Sequence, residues 1–124
     1  MKDFNITETS KNPEINFNVS EGIIEIKGRS IMEDPKTFYQ PLLKALDEQI
    51  SFLPDLTKVT VWLEYYNTGS SQYILTFFKK LGNISKLGKK INVNWLYEEE
   101  EMIVDGQVFQ TLAKIPFKMV KIEE

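Results

Sequence analysis

The stretch VTVWLEYYNTGSSQYILTFFKKLG, from Val59 to Gly82, changes its hydrophobic period in the middle. Its first part has the alternation of a strand with one buried face, at Val59, Val61, Leu63 and Tyr65. Trp62 falls on the opposite face, which predicts that this strand is covered at least partly on both sides. The last part has the i, i+3, i+4, i+7 spacing of an amphipathic helix, at Ile74, Phe77, Phe78 and Leu81. The stretch therefore predicts one strand–turn–helix unit.

The chain before this unit predicts a β-hairpin and a helix. Apolar residues alternate from Glu14 to Val19, and a second β-rich segment runs from Ile23 to Lys27 after the turn residues Ser-Glu-Gly. Asp34 is placed as an N-cap and Pro35 as the first helical residue. The helix is predicted over residues 35–53, with a buried stripe through Phe38, Leu42, Ala45, Gln49 or Ile50, and Leu53.

The chain after this unit predicts a strand, a third helix and a final strand. Residues 91–97 alternate as a strand, and residues 117–122 form the last one. Met102, Phe109 and Leu112 indicate the helix between them, although Gly106 weakens that pattern. The predicted fold class is a single α/β domain over residues 1–124, with helices packed on a mixed sheet. It starts with a β-hairpin, continues as β-α-β-α-β-α-β, and has a loosely ordered N-terminal segment at residues 1–11.

Composition excludes several functional classes. The 124 residues contain no His and no Cys, so a Ser-His-Asp triad, a Cys-His pair or a thiolate metal site cannot form, and no metal or cofactor is predicted. A net charge of −3 disfavours nucleic-acid binding. The sequence lacks a signal-like N-terminus and a bilayer-length apolar run, which predicts a cytoplasmic protein with no membrane association.

The polar turn between Tyr66 and Ser71 allows two interpretations. A hydroxyl at a helix N-terminus can be a phosphorylation site, since a phosphate would add roughly −1.5 to −2 charges beside free N–H groups. The same residues can serve structure alone, with Thr68, Ser70 or Ser71 capping the helix. Physical arguments from the residues leave both interpretations open.

Four segments of the chain together carry a family resemblance. They are INFNVSEGIIEIKGRSIMEDPKTFYQPL, VWLEYYNTGSSQYIL, WLYEEEEMIVDGQVF and IPFKM, in this order from about residue 12 to residue 121. In these segments the chain resembles the SiaC family of bacterial regulatory phosphoproteins. The family pattern has Ser where this chain has Gly69, and frequently Lys where it has Gln72.

The resemblance implies a STAS-like fold and a phosphorylation switch at Thr68. It implies three protein partners: a serine/threonine kinase with a histidine-kinase-like ATPase fold, a PP2C-type phosphatase, and an effector such as a diguanylate cyclase that controls cyclic-di-GMP and biofilm formation. Around Thr68 it implies a switch turn and partner surface, formed by Tyr66, Asn67, Gly69, Ser70 and Ser71.

Three further residues are candidates for partner contacts, and each has a structural alternative. Arg29 could hold a phosphate or carboxylate, or could close the loop between hairpin and helix with an ion pair. Glu33 and Asp34 could contact a kinase, or could cap the first helix and complement its dipole. The acidic run of residues 98–101 could bind a metal, but a solvated start to the third helix is favoured, because consecutive helical carboxylates point in different directions.

The resulting hypothesis is a non-enzymatic switch domain that acts through protein partners. One alternative is a constitutive binding or scaffold module without phosphorylation. Another is an enzyme that uses Glu or Asp as acid and base, which would require a deep pocket around a carboxylate of raised pKa.

Overall fold

The fold is a six-stranded mixed sheet with three helices, as found in a computed structural model that describes residues 1–122; the last two residues of the predicted domain lie outside the described part. The strands are β1 (Phe4–Ile6), β2 (Glu14–Asn18), β3 (Ile23–Ser30), β4 (Leu56–Tyr66), β5 (Lys90–Tyr97) and β6 (Phe117–Lys121). The helices are α1 (Pro35–Gln49), α2 (Thr68–Lys86) and α3 (Glu101–Ala113). The predicted α/β fold class is confirmed.

Strand order in the sheet follows chain order. The first three strands pair antiparallel, and β3 to β6 pair parallel. Each helix thus connects two neighbouring parallel strands, and because such crossovers are right-handed, all three helices lie on the same face of the sheet. The buried residues of the strands alternate accordingly, and they include Ile15, Phe17, Ile24, Ile26, Val59, Val61, Leu63, Val93 and Trp95.

Within the described residues 1–122, no helix packs on the other face of the sheet, which corrects the prediction for β4. Trp62 lies on this open face and is half-buried, next to Lys27 of β3 and Leu96 of β5. Helices would cover both faces only if the strand order reversed within the sheet, and here it does not. Tyr65 is exposed rather than buried, because the pairing of β3 with β4 shifts register between Gly28 and Arg29 and ends the alternation.

The N-terminal segment is more regular than predicted. Residues 4–6 form the edge strand β1, in which Phe4 is paired with Phe17 of β2. The Asp3 carboxylate accepts a hydrogen bond from the backbone N–H of Val19 at 2.9 Å, which ties the start of the chain to the end of β2. Phe4 and Ile6 pack on the core. A strand of three residues is too short for its period to be recognised in sequence.

Helix α1 is shorter than predicted and buries a different face. It ends at Gln49 and is followed by a 3₁₀ turn, Ile50–Phe52. Its buried residues are Tyr39, Leu42 and Leu46, whereas Phe38 and Ala45 of the predicted stripe are only half-buried. With this face of α1 buried, the Tyr39 hydroxyl lies 2.6 Å from Ser30 Oγ. This polar contact helps to decide which face of α1 is buried, and the hydrophobic periodicity of the sequence does not reveal it.

Gly106 explains how α3 packs on the sheet. A Cβ at this position would lie 2.7 Å from Cδ1 and 2.8 Å from Nε1 of Trp95, so only glycine lets the helix approach the indole. Trp95 Nε1 also donates a hydrogen bond to the carbonyl of Met102 at 2.9 Å. Phe109 is buried as predicted, but Leu112 is 47% exposed and does not face the core.

The contact at Gly106 predicts the sign of a substitution. Gly106→Ala should lower the free energy of unfolding by about 1–3 kcal/mol, because the methyl group overpacks a fully buried Trp95. Without that contact, alanine would favour the helix by about 1 kcal/mol. Urea denaturation measures the free energy of unfolding of Gly106→Ala, which is compared with that of the parent chain and of the control Gln107→Ala. Gln107 is exposed on the same helix, so its substitution should change stability by no more than about 0.5 kcal/mol. An unchanged or increased stability of Gly106→Ala would contradict the tight packing.

Candidate functional site

The candidate site is the turn from β4 into α2, and Asn67 holds it in place. Asn67 Oδ1 accepts a hydrogen bond from the backbone N–H of Ser70 at 2.8 Å, which makes Asn67 the N-cap of α2. Its Nδ2 donates to the carbonyl of Met32 at 3.1 Å, and its backbone N–H donates to the carbonyl of Ser30 at 3.0 Å. The capping role considered for the three hydroxyl residues therefore belongs to Asn67.

Thr68 is the first residue of α2 and is exposed. Within residues 1–122, the side-chain hydrogen bonds of this turn are made by Tyr66, Asn67, Ser70 and Ser71, and none uses the Thr68 hydroxyl. Ser71 Oγ, by contrast, donates to the carbonyl of Thr68 at 2.7 Å. Thr68 thus presents an uncommitted hydroxyl at the positive end of a helix.

Ser70 does not belong to the surface, which corrects its assignment to the partner surface. It is fully buried, and its hydroxyl donates to the carbonyl of Ser30 at 3.0 Å. Ser30 Oγ lies 2.8 Å from Ser70 Oγ and 2.6 Å from the Tyr39 hydroxyl. Since Ser30 gives its only hydroxyl proton to Ser70, Tyr39 donates to Ser30. Burial raises the pKa of Tyr39 to about 12.

This chain of three hydroxyls joins three elements beneath the turn. Ser30 ends β3, Tyr39 lies in the second turn of α1, and Ser70 lies in the first turn of α2. The start of α1 also touches the turn, because a Cβ on Gly69 would lie 3.3 Å from Cγ of Pro35. Two helix N-termini therefore adjoin at the site, and Gly69 keeps the contact between them close.

The tyrosines around the turn differ in their surroundings. The Tyr66 hydroxyl donates to Asp105 of α3 at 2.6 Å, and partial burial together with this bond raises the pKa of Tyr66 well above its usual range. Tyr73 is half-buried and stacks on Tyr39 with ring centroids 6.3 Å apart. Tyr65 is 62% exposed. The turn is therefore flanked by one free aromatic ring and two that are held by neighbouring elements.

The three predicted contact residues all lie on exposed surface, and two of them make structural bonds. Arg29 donates to Glu64 at 3.0 Å, and this bond raises the pKa of Arg29. Asp34 caps α1 by accepting from Thr37 N–H at 3.2 Å, and the bond from the Thr37 hydroxyl is the main reason that the pKa of Asp34 is lowered. Glu33 is exposed.

The acidic run lies where the third helix starts. Glu98 to Glu100 precede α3 and Glu101 is its first residue, and all four are exposed. Across residues 1–122, no group of three or more carboxylates is placed to hold a metal ion. No helix in the same range is long and apolar enough to cross a membrane.

The fold and the site together define a class: a small α/β domain, with helices on one face of its sheet and an exposed threonine on the strand-to-helix turn. The family model for SiaC family regulatory phosphoproteins matches residues 6–122. A search of curated proteins found no match. The chain belongs to the SiaC family of regulatory phosphoproteins.

Solved structures agree with this fold. Apo-SiaC from Pseudomonas aeruginosa superposes with a TM-score of 0.87 at 18% identity, over 97% of this chain and 99% of that one. A second structure of SiaC from the same organism gives a TM-score of 0.89 at 18% identity, over 98% and 100% of the two chains. A third match is to the crystal structure of the diguanylate cyclase SiaD of that organism in complex with its activator SiaC. It has a TM-score of 0.88 at 18% identity, over 97% of this chain and 100% of the matched chain.

The roles of Asn67 and Thr68 predict that alanine destabilises the domain at Asn67 and has little effect at Thr68. Asn67→Ala removes a helix cap and a bond to Met32, and should lower the free energy of unfolding by about 0.5–2 kcal/mol. Thr68→Ala removes a hydroxyl that bonds to nothing in the described chain, and should change it by no more than about 0.5 kcal/mol. Thermal or urea unfolding of the two variants measures the difference. If Thr68→Ala were the more destabilising of the two, the threonine would be structural.

Proposed function

We propose that this protein is a non-enzymatic switch whose phosphorylation on Thr68 controls its binding to a diguanylate cyclase. The observation that carries the proposal is the exposed Thr68 hydroxyl, which stands free at the start of α2 while its neighbours are engaged. Membership of a family of regulatory phosphoproteins supports the same role.

The three hydroxyls of the turn differ in how accessible they are to a kinase. Ser70 is fully buried and bonded to Ser30, so its modification would require the turn to open. Ser71 is half-buried and gives its proton to the carbonyl of Thr68. The Thr68 hydroxyl can enter a kinase active site without giving up a side-chain hydrogen bond within residues 1–122, which favours it as the acceptor.

The proposed effector rests on the related complex. In Pseudomonas aeruginosa, SiaC is the activator of the diguanylate cyclase SiaD and forms a complex with it. By extension, the unphosphorylated form of this chain binds and activates a diguanylate cyclase in the cytoplasm, and thereby raises cyclic-di-GMP. A serine/threonine kinase with a histidine-kinase-like ATPase fold adds the phosphate, and a PP2C-type phosphatase removes it.

The electrostatics of the turn give the switch a physical basis. Phosphorylation adds roughly −1.5 to −2 charges at pH 7 to a surface that already carries Glu33 and Asp34 beside the start of α1. The free N–H groups at the start of α2 stabilise part of this charge within the domain. An effector surface shaped for a neutral hydroxyl must desolvate the phosphate without donors to compensate, so the complex is weakened.

Phosphorylation should be confined to Thr68. Protein purified from its native cells should show one added phosphate by intact-mass spectrometry, and peptide mapping should place it on Thr68. Thr68→Ala should abolish the modification, whereas Ser71→Ala, the matched control in the same turn, should retain it. A phosphate mapped to Ser71 would transfer the switch to that residue, and a chain never modified under any growth condition would favour a constitutive scaffold.

Effector binding should depend on the phosphate and not on the hydroxyl. In calorimetric titrations against the purified diguanylate cyclases of the source organism, the parent chain and Thr68→Ala should bind one of them with similar affinity. Phospho-Thr68 should bind at least about tenfold more weakly, the equivalent of about 1.4 kcal/mol. Thr68→Glu should be an incomplete mimic, because a carboxylate is smaller and carries a single charge.

The cyclase titration also separates the alternatives. Equal affinity of the phosphorylated and unphosphorylated forms would remove the switch, because a modification with no differential binding shifts no equilibrium. Failure to bind any of the cyclases, with phosphorylation of Thr68 intact, would contradict the effector and leave the modification site standing.

A further inference from the structure

Helix α3 carries a stripe of apolar side chains on the surface of the molecule. Val104 is 58% exposed, Val108 is 51% exposed and Leu112 is 47% exposed. They follow one another at intervals of four residues, so they form a continuous ridge over two turns of the helix. These three residues are called the α3 ridge below.

The ridge points away from the core of the domain. The core-facing residues of α3 are Gly106, Phe109 and Ala113. At 100° per residue, Val108 is displaced by about 100° from Phe109 and by about 160° from Gly106, so the two sets lie on different sides of the helix. A surface helix of a globular protein normally has one apolar side, and α3 has two.

The packing of the domain does not require this second apolar side. Gln107 and Thr111 lie along one side of the ridge and are exposed, so the ridge is an apolar strip with a polar border on that side. Apolar strips with polar borders are typical of protein interaction sites. A partner that fits must offer a complementary apolar ridge and tolerate the charges at the two ends of α3.

Those charges are distributed unequally along the helix. The N-terminal end of α3 carries Glu98 to Glu101, all exposed, and the C-terminal end carries Lys114, also exposed. A second copy of the helix, placed antiparallel, brings the acidic end of one chain to the basic end of the other and opposes the two helix dipoles. A parallel placement would bring the two acidic runs together.

We propose that the α3 ridge is a self-association surface, on which two copies of this chain pair through antiparallel α3 helices about a twofold axis at Val108. In this arrangement Val108 meets its own counterpart, and Val104 of each chain meets Leu112 of the other. The two contacts between the acidic and basic ends are equivalent, as a twofold interface requires. The ridge contains no residue of the Thr68 turn, so the proposal goes beyond the switch and does not depend on it.

The size of the ridge sets the strength of the dimer. Three aliphatic side chains offer much less area than the about 800 Å² per partner of a standard interface. We therefore expect a weak, reversible dimer whose population depends on protein concentration. The ionic contacts at its ends should make it weaker at high salt.

Sedimentation equilibrium of the full chain tests the dimer directly. The average mass should rise toward two chains as the protein concentration increases. Val108→Asp should weaken the dimer at least about tenfold, because it places two like charges on the axis. Leu87→Asp is the matched control, since Leu87 is 70% exposed and lies outside the ridge. Lys114→Glu should weaken the dimer at low salt and have less effect at high salt.

A second variant reports the geometry independently of affinity. Because the chain has no Cys, Val108→Cys introduces a single thiol that faces its counterpart across the axis. Under mild oxidation it should form a covalent dimer much faster than Leu87→Cys. A chain that stays monomeric at all concentrations, or a Val108→Cys variant that cross-links no faster than Leu87→Cys, would overturn the proposal. A monomeric chain whose Val108→Asp variant loses cyclase binding would also overturn it, and would assign the ridge to the effector.

Discussion

The carbonyl group of Ser30, at the end of β3, is the point on which the candidate site depends. It accepts the backbone N–H of Asn67 and the hydroxyl of Ser70, both at 3.0 Å, and so fixes the start of α2 to the neighbouring strand from two positions. Ser70 is fully buried, so the loss of its bond would leave polar groups unsatisfied in the core. The turn cannot shift relative to the sheet without breaking these bonds. Thr68, which lies between the two anchored residues, is held outward.

This anchoring determines how a phosphate on Thr68 could act. Some phosphorylation switches work by ordering or melting a segment, but a turn tied to β3 and α1 is already ordered. The effect of a phosphate on Thr68 would then be local: it would change the charge and shape of an existing surface. Such a change alters the affinity of a partner without a conformational change in the domain, which suits a chain of 124 residues with one core.

Sequence reasoning succeeded where the pattern of burial is simple. The alternating residues of β2, β4 and β5 face one continuous core, and a period of two reports that directly. It failed where a polar contact or a register shift decides the outcome. Tyr39 faces inward because its hydroxyl meets Ser30, and Tyr65 faces outward because the β3–β4 register shifts. The burial of Ser70 could not be read from the turn sequence, since a serine in the first turn of a helix is ordinarily solvated. The sequence shows only that Ser70 lies three residues after an Asn that can cap the helix. Exposed residues often occupy the same position, so this signal does not predict burial.

Two residues at the start of α2, Gly69 and Gln72, depart from the family pattern. Gly69 lies against Pro35, and a Cβ there would approach Cγ of the proline to 3.3 Å, which is tighter than an ordinary contact. A serine at this position would require α1 to move slightly from α2, so glycine allows the two helix N-termini to adjoin. Gln72 is exposed in the second turn of α2 and contributes no charge. A lysine at that position would place a cation near the phosphate. In its absence, the free N–H groups at the start of α2 provide positive partial charge beside Thr68.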